Sequence, residues 1–137
     1  MSDSSTPLPA TLSAIRRVFD SQAATALQLR RSTADQRIEK LRRLRDAVIA
    51  HTDDFYAAAY ADFRKPPGEV DLAEILPVCG EANDAIAHLR RWMKPTRVWP
   101  TLLTMGTRSH LQYMPRGRSL IISPWNYPVN LTFGPLV

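Results

Sequence analysis

Apolar side chains recur at spacings of three and four over roughly the first ninety residues, which is the period of an amphipathic α-helix. This pattern predicts a first helix from about Thr11 to Arg31. Its apolar positions are Leu12, Ile15, Val18, Phe19, Ala23, Ala26 and Leu27. A second helix should begin at Thr33, because Gln36 follows three residues later and completes a capping box. Its core-facing positions are Ile38, Leu41, Leu44, Val48 and Ile49.

Two more helices are predicted before the pattern changes. One begins at Thr52-Asp53-Asp54, since the helix dipole favours acidic residues in a first turn. The run Lys65-Pro66-Pro67-Gly68 should end it, because proline lacks the N–H that a helix needs. The other runs from Glu69 to about Met93, with a possible kink at Pro77. Its apolar positions are Leu72, Ile75, Leu76, Cys79, Ile86, Leu89 and Met93.

Strand character replaces helical character in the last third of the chain. Residues His110 to Met114 alternate apolar and polar side chains, and Arg118 to Ser123 contain a continuous apolar run. Such a run is expected of a strand that is covered on both faces. The sequence therefore predicts an α/β organisation, with leading helices followed by strands.

Composition and charge narrow the class of protein. The chain has 137 residues, of which 45% are hydrophobic and 23% charged, as in a globular domain. No apolar run reaches the roughly 20 residues of a membrane helix, and the start does not resemble a secretory signal. Residues 1–10 are predicted to be a disordered tail. A single cysteine, Cys79, is typical of a reducing compartment, and we expect a cytoplasmic protein.

The net charge of +5 raises the question of a polyanion partner. Much of the excess lies between Arg37 and Arg45, where charges alternate with apolar residues at helical spacing. This favours a solvated helix face over a nucleic-acid site. The three histidines, His51, His88 and His110, are too far apart in sequence to indicate a metal site.

The most unusual segment is the loop that follows the second predicted strand. Prolines flank Trp125, Asn126 and Tyr127 there and stiffen the backbone around them. In open α/β sheets, ligands bind beyond the carboxyl ends of strands. The amide of Asn126 is thus a candidate donor to an oxyanion, while the plainer alternative is that it only caps a turn.

The same segment resembles a known family. Pro124-Trp125-Asn126-Tyr127-Pro128 is similar to the Pro-Trp-Asn-Phe/Tyr-Pro signature of the aldehyde dehydrogenase superfamily, in the form of its class 3 and coniferyl-aldehyde branch. Further similarities lie at Ala61-Asp62-Phe63-Arg64-Lys65, at Glu74 and at Arg91-Trp92-Met93-Lys94-Pro95. Pro115-Arg116-Gly117-Arg118 departs from the usual Pro-Leu-Gly-Val. The resemblance implies an amino-terminal fragment, with residues 11–137 forming the first part of an NAD(P)-binding, Rossmann-like domain.

The resemblance also implies roles for individual residues. Asn126 would donate its amide to the substrate oxygen and stabilise a thiohemiacetal alkoxide. The cofactor wall for NAD or NADP would consist of Ile122, Ser123, Pro124 and Trp125. The aldehyde would contact Tyr127, Asn130 and Leu131. The parent is expected to be a homodimer with a small-molecule aldehyde as its substrate and no metal.

The family's cysteine nucleophile, glutamate base, ribose-binding lysine and glycine-rich turn would all lie beyond Val137. Cys79 sits among apolar residues within a predicted helix, where a packing role is favoured. The isolated chain is therefore predicted to be inactive. The alternatives are a helical interaction module and a non-functional truncated product.

Overall fold

A computed structural model describes residues 8–137, with side chains from residue 12 onward. The described chain is mostly helical, with one small sheet. The α-helices are α1 (Leu8–Ser21), α2 (Ala23–Leu29), α3 (Ala34–Ala50), α4 (Thr52–Phe63), α5 (Pro67–Val70), α6 (Leu76–Trp92) and α7 (Pro128–Phe133). A π-helical turn, Asp71–Ile75, joins α5 to α6, and a 3-10 turn spans Leu102–Thr104. The strands are β1 (Thr96–Val98) and β2 (Ser109–Leu111).

The chain divides into two compact units. The smaller one contains residues 8–32 together with residues 114–120. In it, the single helix expected from Thr11 to Arg31 is interrupted at Gln22, and α1 begins three residues earlier, at Leu8. Residues 1–7 of the predicted tail lie outside the described residues.

Arg118 gives the smaller unit its main polar contacts. Its guanidinium lies 4.0 Å from the centre of the Phe19 ring and donates to the Phe19 carbonyl. Asp20 stands 3.7 Å away. Gly117, just before it, has a φ of 107°, a conformation that favours glycine. The unusual arginine at position 118 is therefore accommodated by a cation–π contact.

The larger unit is built around helices α3 and α6. The capping box predicted for α3 is confirmed: the Thr33 hydroxyl accepts from the Gln36 N–H, and the Gln36 side chain accepts from the Thr33 N–H. Helix α3 buries Ile38, Leu41 and Val48 but leaves Ile49, at the end of the predicted stripe, exposed.

A compact apolar cluster of Val48, Val70, Ile75 and Val78 forms the centre of this unit. Phe55, Tyr56, Ala59, Cys79 and Phe133 pack around it. Further along α6, Ala82 and Ala85 are the buried positions. Leu72 and Leu76, two of the apolar positions of the helix predicted from Glu69, are exposed. The π-helical turn before α6 changes the helical phase, so the buried positions are Val70, Ile75 and Val78.

The sheet is antiparallel, with Thr96 opposite Leu111 and Val98 opposite Ser109. The strand predicted at His110 to Met114 is thus present but begins and ends earlier, and its partner β1 was not predicted. The strand predicted at Arg118 to Ser123 is wrong for the described chain, where these residues have no paired strand. None of the described helices is both long enough and apolar enough to cross a membrane.

Candidate active-site loop

The loop between residue 123 and helix α7 holds most of the predicted site residues. At its start, the Ser123 hydroxyl lies 3.2 Å from the Pro124 carbonyl and 3.3 Å from the Pro128 carbonyl, so it has an acceptor at each end of the loop. Helix α7 begins at Pro128, a residue suited to a first helical position because no N–H is required there. The loop is therefore a short, proline-bounded segment whose shape depends on what holds its two ends.

A buried ion pair lies beneath this loop. Lys65 Nζ is 3.2 Å from Glu74 Oε1, and the two side chains are only 9% and 3% exposed. Charged groups are rarely buried unless they are paired and hydrogen-bonded. The other hydrogen-bond partners of Lys65 and Glu74 therefore identify what this ion pair holds in place.

Glu74 binds the downstream end of the loop. Its second oxygen, Oε2, accepts from the N–H of Val129 at 3.0 Å and from the N–H of Asn130 at 2.9 Å. These are first-turn N–H groups of α7, which have no partner inside the helix. Glu74 thus caps α7 from a different part of the chain, and its negative charge suits the positive end of the helix.

Lys65 binds the loop backbone at Asn126. Its ammonium donates to the backbone carbonyl of Asn126 at 3.2 Å and lies 4.5 Å from the centre of the Tyr127 ring. Arg64, just before it, ends helix α4 with a φ of 56°, a left-handed conformation that is uncommon for a side-chain-bearing residue. The ion pair therefore contacts Asn126 within the loop and Val129 and Asn130 in the first turn of the helix that follows it.

The π-helical turn that carries Glu74 has a cause in the sequence. In an α-helix the carbonyl of Ala73 would accept from residue 77, but residue 77 is proline and has no N–H. The Asn130 side chain donates to this carbonyl at 3.0 Å. Instead of the kink predicted at Pro77, the chain has a π-helical turn over Asp71–Ile75. The Ala73 carbonyl, which lacks a helical donor because of Pro77, binds the Asn130 side chain of α7.

The predicted residues separate into a bound set and an exposed set. Asn126, Tyr127 and Asn130 are brought together by the ion pair, whereas Ile122 and Trp125 are 84% and 81% exposed. Pro124 is also exposed, and Leu131 donates its N–H to the Tyr127 carbonyl at 3.0 Å. Lys65 and Glu74 lie in segments that are similar to the family in sequence, but neither residue had a predicted role.

Two cavities adjoin the loop. A shallow cleft of about 360 Å³ is lined by Asn126 and Tyr127 together with Lys65, Pro66 and other residues at the end of α4. A smaller cavity of about 70 Å³ lies against Glu74 and Val129. The exposed Asn126 side chain therefore stands at a cleft whose opposite wall is the end of α4.

Cys79 is placed away from this chemistry. It is half-buried on α6 against the central apolar cluster, and this burial raises the pKa of its thiol. A raised pKa disfavours the thiolate, which is the nucleophilic form. Among residues 12–137, no group of three or more histidine, cysteine, aspartate or glutamate side chains is arranged to hold a metal ion.

Comparison with known proteins shows the family of this chain. The model of the aldehyde dehydrogenase family matches residues 8–137. AldX of Bacillus subtilis, which carries a provisional aldehyde dehydrogenase name, is 43% identical over 122 residues, covering 89% of this chain and 27% of AldX. A probable coniferyl aldehyde dehydrogenase of Caulobacter vibrioides is 35% identical over 123 residues, covering 87% of this chain and 25% of the relative.

Among solved structures, the substrate-bound state of Staphylococcus aureus AldH superposes with a TM-score of 0.83 at 30% identity. The match covers 89% of this chain and 27% of that one. It confirms the predicted fold class, and the family match confirms the resemblance drawn from the sequence. The chain spans about a quarter of the length of the relatives that it matches.

Proposed function

Because this chain belongs to the aldehyde dehydrogenase family, we propose that the whole protein oxidises an aldehyde to a carboxylic acid with NAD or NADP. The net reaction consumes one aldehyde, one water and one oxidised nucleotide, and it yields the acid, the reduced nucleotide and a proton. A cysteine thiolate adds to the aldehyde carbon, and water later hydrolyses the thioester. By the resemblance, that cysteine and the glutamate that activates the water lie beyond Val137.

Asn126 carries this chain's part of the chemistry. When the thiolate adds, the aldehyde oxygen becomes an alkoxide, and a positioned N–H donor stabilises that developing charge. The observation that supports the role is the exposed Asn126 side chain at the edge of a cleft, with its own backbone carbonyl and the helix turn that follows it both hydrogen-bonded. Tyr127, Asn130 and Leu131 line the path of an apolar or aromatic aldehyde.

The nucleotide supplies, when bound, the acceptor for the hydride that leaves the aldehyde carbon. Residues 122–125 suit a wall for it, because Ile122 and Trp125 present exposed apolar surface. Ser123 is occupied locally by its bond to the Pro128 carbonyl and contributes backbone rather than a hydroxyl. We further propose that the protein is cytoplasmic, because a single cysteine is typical of a reducing compartment. The resemblance to the family supports a homodimer.

Asn126→Ala tests the assignment in the whole protein. Loss of one oxyanion donor is expected to lower turnover by about two to three orders of magnitude. Turnover is followed by the absorbance of the reduced nicotinamide, first with NAD and then with NADP. Asn83→Ala, an exposed change on α6 that removes an acceptor of Arg45, is the matched control for loss of an amide and should leave the rate unchanged. A normal rate for Asn126→Ala contradicts the role.

The isolated 137-residue chain is expected to show no activity in the same assay. A second test is to read the coding sequence downstream of codon 137. An open frame with the missing lysine, glycine-rich turn, glutamate and cysteine supports the proposal, and a stop codon at that point contradicts it.

A further inference from the structure

We propose that Lys65 and Glu74 are positioning residues that fix the backbone of the Asn126 loop in its donor geometry. The five groups involved are the two side chains, the Asn126 carbonyl and the N–H groups of Val129 and Asn130, and we refer to them as the clamp. This inference rests on the proposed function of Asn126. It assigns the ion pair a role in the reaction without any contact to substrate.

The clamp acts on the backbone and leaves the Asn126 amide available. Lys65 binds the carbonyl of Asn126, four residues before the last N–H that Glu74 binds. One ion pair thus sets the positions of both ends of a five-residue segment. Preorganisation of this kind matters because a displacement of about 1 Å at a catalytic group can cost on the order of a hundredfold in rate.

Burial makes the clamp specific. The ammonium and the carboxylate are almost completely removed from water, so each is held by partners with defined geometry. The Tyr127 ring covers the ammonium, and the Asn130 side chain ties α7 to the Ala73 carbonyl next to Glu74. The backbone groups that satisfy the two buried charges are those of Asn126, Val129 and Asn130, so the position of the donor residue is coupled to the ion pair.

The first experiment measures the loop directly by amide hydrogen exchange in the whole protein. Glu74→Gln removes the charge while keeping the shape, and the new amide group places an N–H₂ beside Lys65. Exchange at Val129 and Asn130 is expected to become about tenfold faster, because a hydrogen bond to a charged group is replaced by a weaker one. Glu81→Gln, an exposed change on α6, is the control and should leave these amides unchanged.

The second experiment tests action through Asn126 by a double-mutant cycle on turnover. Glu74→Gln alone and Lys65→Met alone should lower kcat at least about tenfold with little change in the KM for aldehyde. The reason is that a displaced Asn126 amide would weaken a contact that is made in the transition state. In the Asn126→Ala background, Glu74→Gln should cost nothing further. Lys40→Met, on the exposed face of α3, is the control for the lysine change.

The outcomes separate the two proposals. Normal activity of Glu74→Gln, with Asn126→Ala impaired, overturns the clamp and leaves the function of Asn126 standing. The clamp is also overturned if the losses of kcat from Glu74→Gln and Asn126→Ala multiply in the double variant, because independent effects indicate a general structural role for Glu74. Normal activity of Asn126→Ala contradicts the proposed function, and the exchange measurement then still reports whether the clamp holds the loop.

A variant that does not fold is replaced by a milder one. Glu74→Asp keeps the charge and shortens the side chain by one methylene, so it should fold and still accelerate exchange at Val129 and Asn130. Unchanged exchange in Glu74→Asp, together with unchanged turnover, would overturn the clamp.

Discussion

Replacing Lys65 with methionine is expected to destabilise the whole protein by about 3 kcal/mol. Methionine keeps an unbranched apolar stem of similar length, so the change removes little besides the ammonium. Three contacts are lost: Glu74 and the Asn126 carbonyl, each at 3.2 Å, and the Tyr127 ring at 4.5 Å. The dominant cost is the unpaired carboxylate that stays behind.

The magnitude follows from the surroundings of Glu74. Removing one partner of a buried ion pair costs about 3–5 kcal/mol, because the remaining charge is left uncompensated. The Glu74 side chain is 3% exposed, but its Oε2 still accepts two backbone N–H groups. These bonds stabilise the charged form in the variant, and we therefore expect the lower end of the range.

Urea denaturation measures the loss as a shift of the midpoint at constant slope. The control is Asp35→Asn, which breaks an ion pair with Arg90 whose side chains are 73% and 66% exposed. An exposed pair contributes about 0–1 kcal/mol. A loss below about 1 kcal/mol for Lys65→Met, or a loss equal to that of Asp35→Asn, would refute the reasoning that burial makes this pair indispensable.

Two further predictions concern the core and the pH dependence of stability. Val78→Ala should lower the free energy of unfolding by about 2 kcal/mol in the same urea assay, since Val78 is fully buried. Leu72→Ala, at a largely exposed site, should lower it by less than about 0.5 kcal/mol. Equal losses for the two variants would contradict the assignment of Val78 to the core. The hydrogen bond to Asp71 raises the pKa of Tyr56. The stability that this hydrogen bond contributes is fully present below the ordinary tyrosine pKa of about 10. It is lost as the pH rises through the raised pKa of Tyr56 in the folded protein. Stability should therefore fall more steeply above about pH 10 than it does in Tyr56→Phe, and parallel curves would contradict this.

The helices could be predicted because their signals are local. The capping box at Thr33 and Gln36 and the acidic first turn of α4 need only residues a few positions apart. The strands could not be predicted equally well, since a strand exists only with a partner. β1 pairs with residues more than ten positions away, and the apolar run at Leu120 to Ile122 has no paired strand in the described chain. Periodicity alone cannot distinguish an extended segment from a paired one.

The site was predicted in part for the same reason. The residues of the loop were identified because their sequence is unusual, but the ion pair that holds them connects positions 65 and 74 to positions 126–130. The one local signal was Pro77. A proline inside a helix leaves the carbonyl four residues earlier without its usual donor, and a carbonyl that is shielded from water needs another. At Ala73 that donor is Asn130, so the irregular turn and the fixed loop have a common origin. A proline within an otherwise regular helical pattern therefore indicates where a distant segment binds as well as where the helix bends.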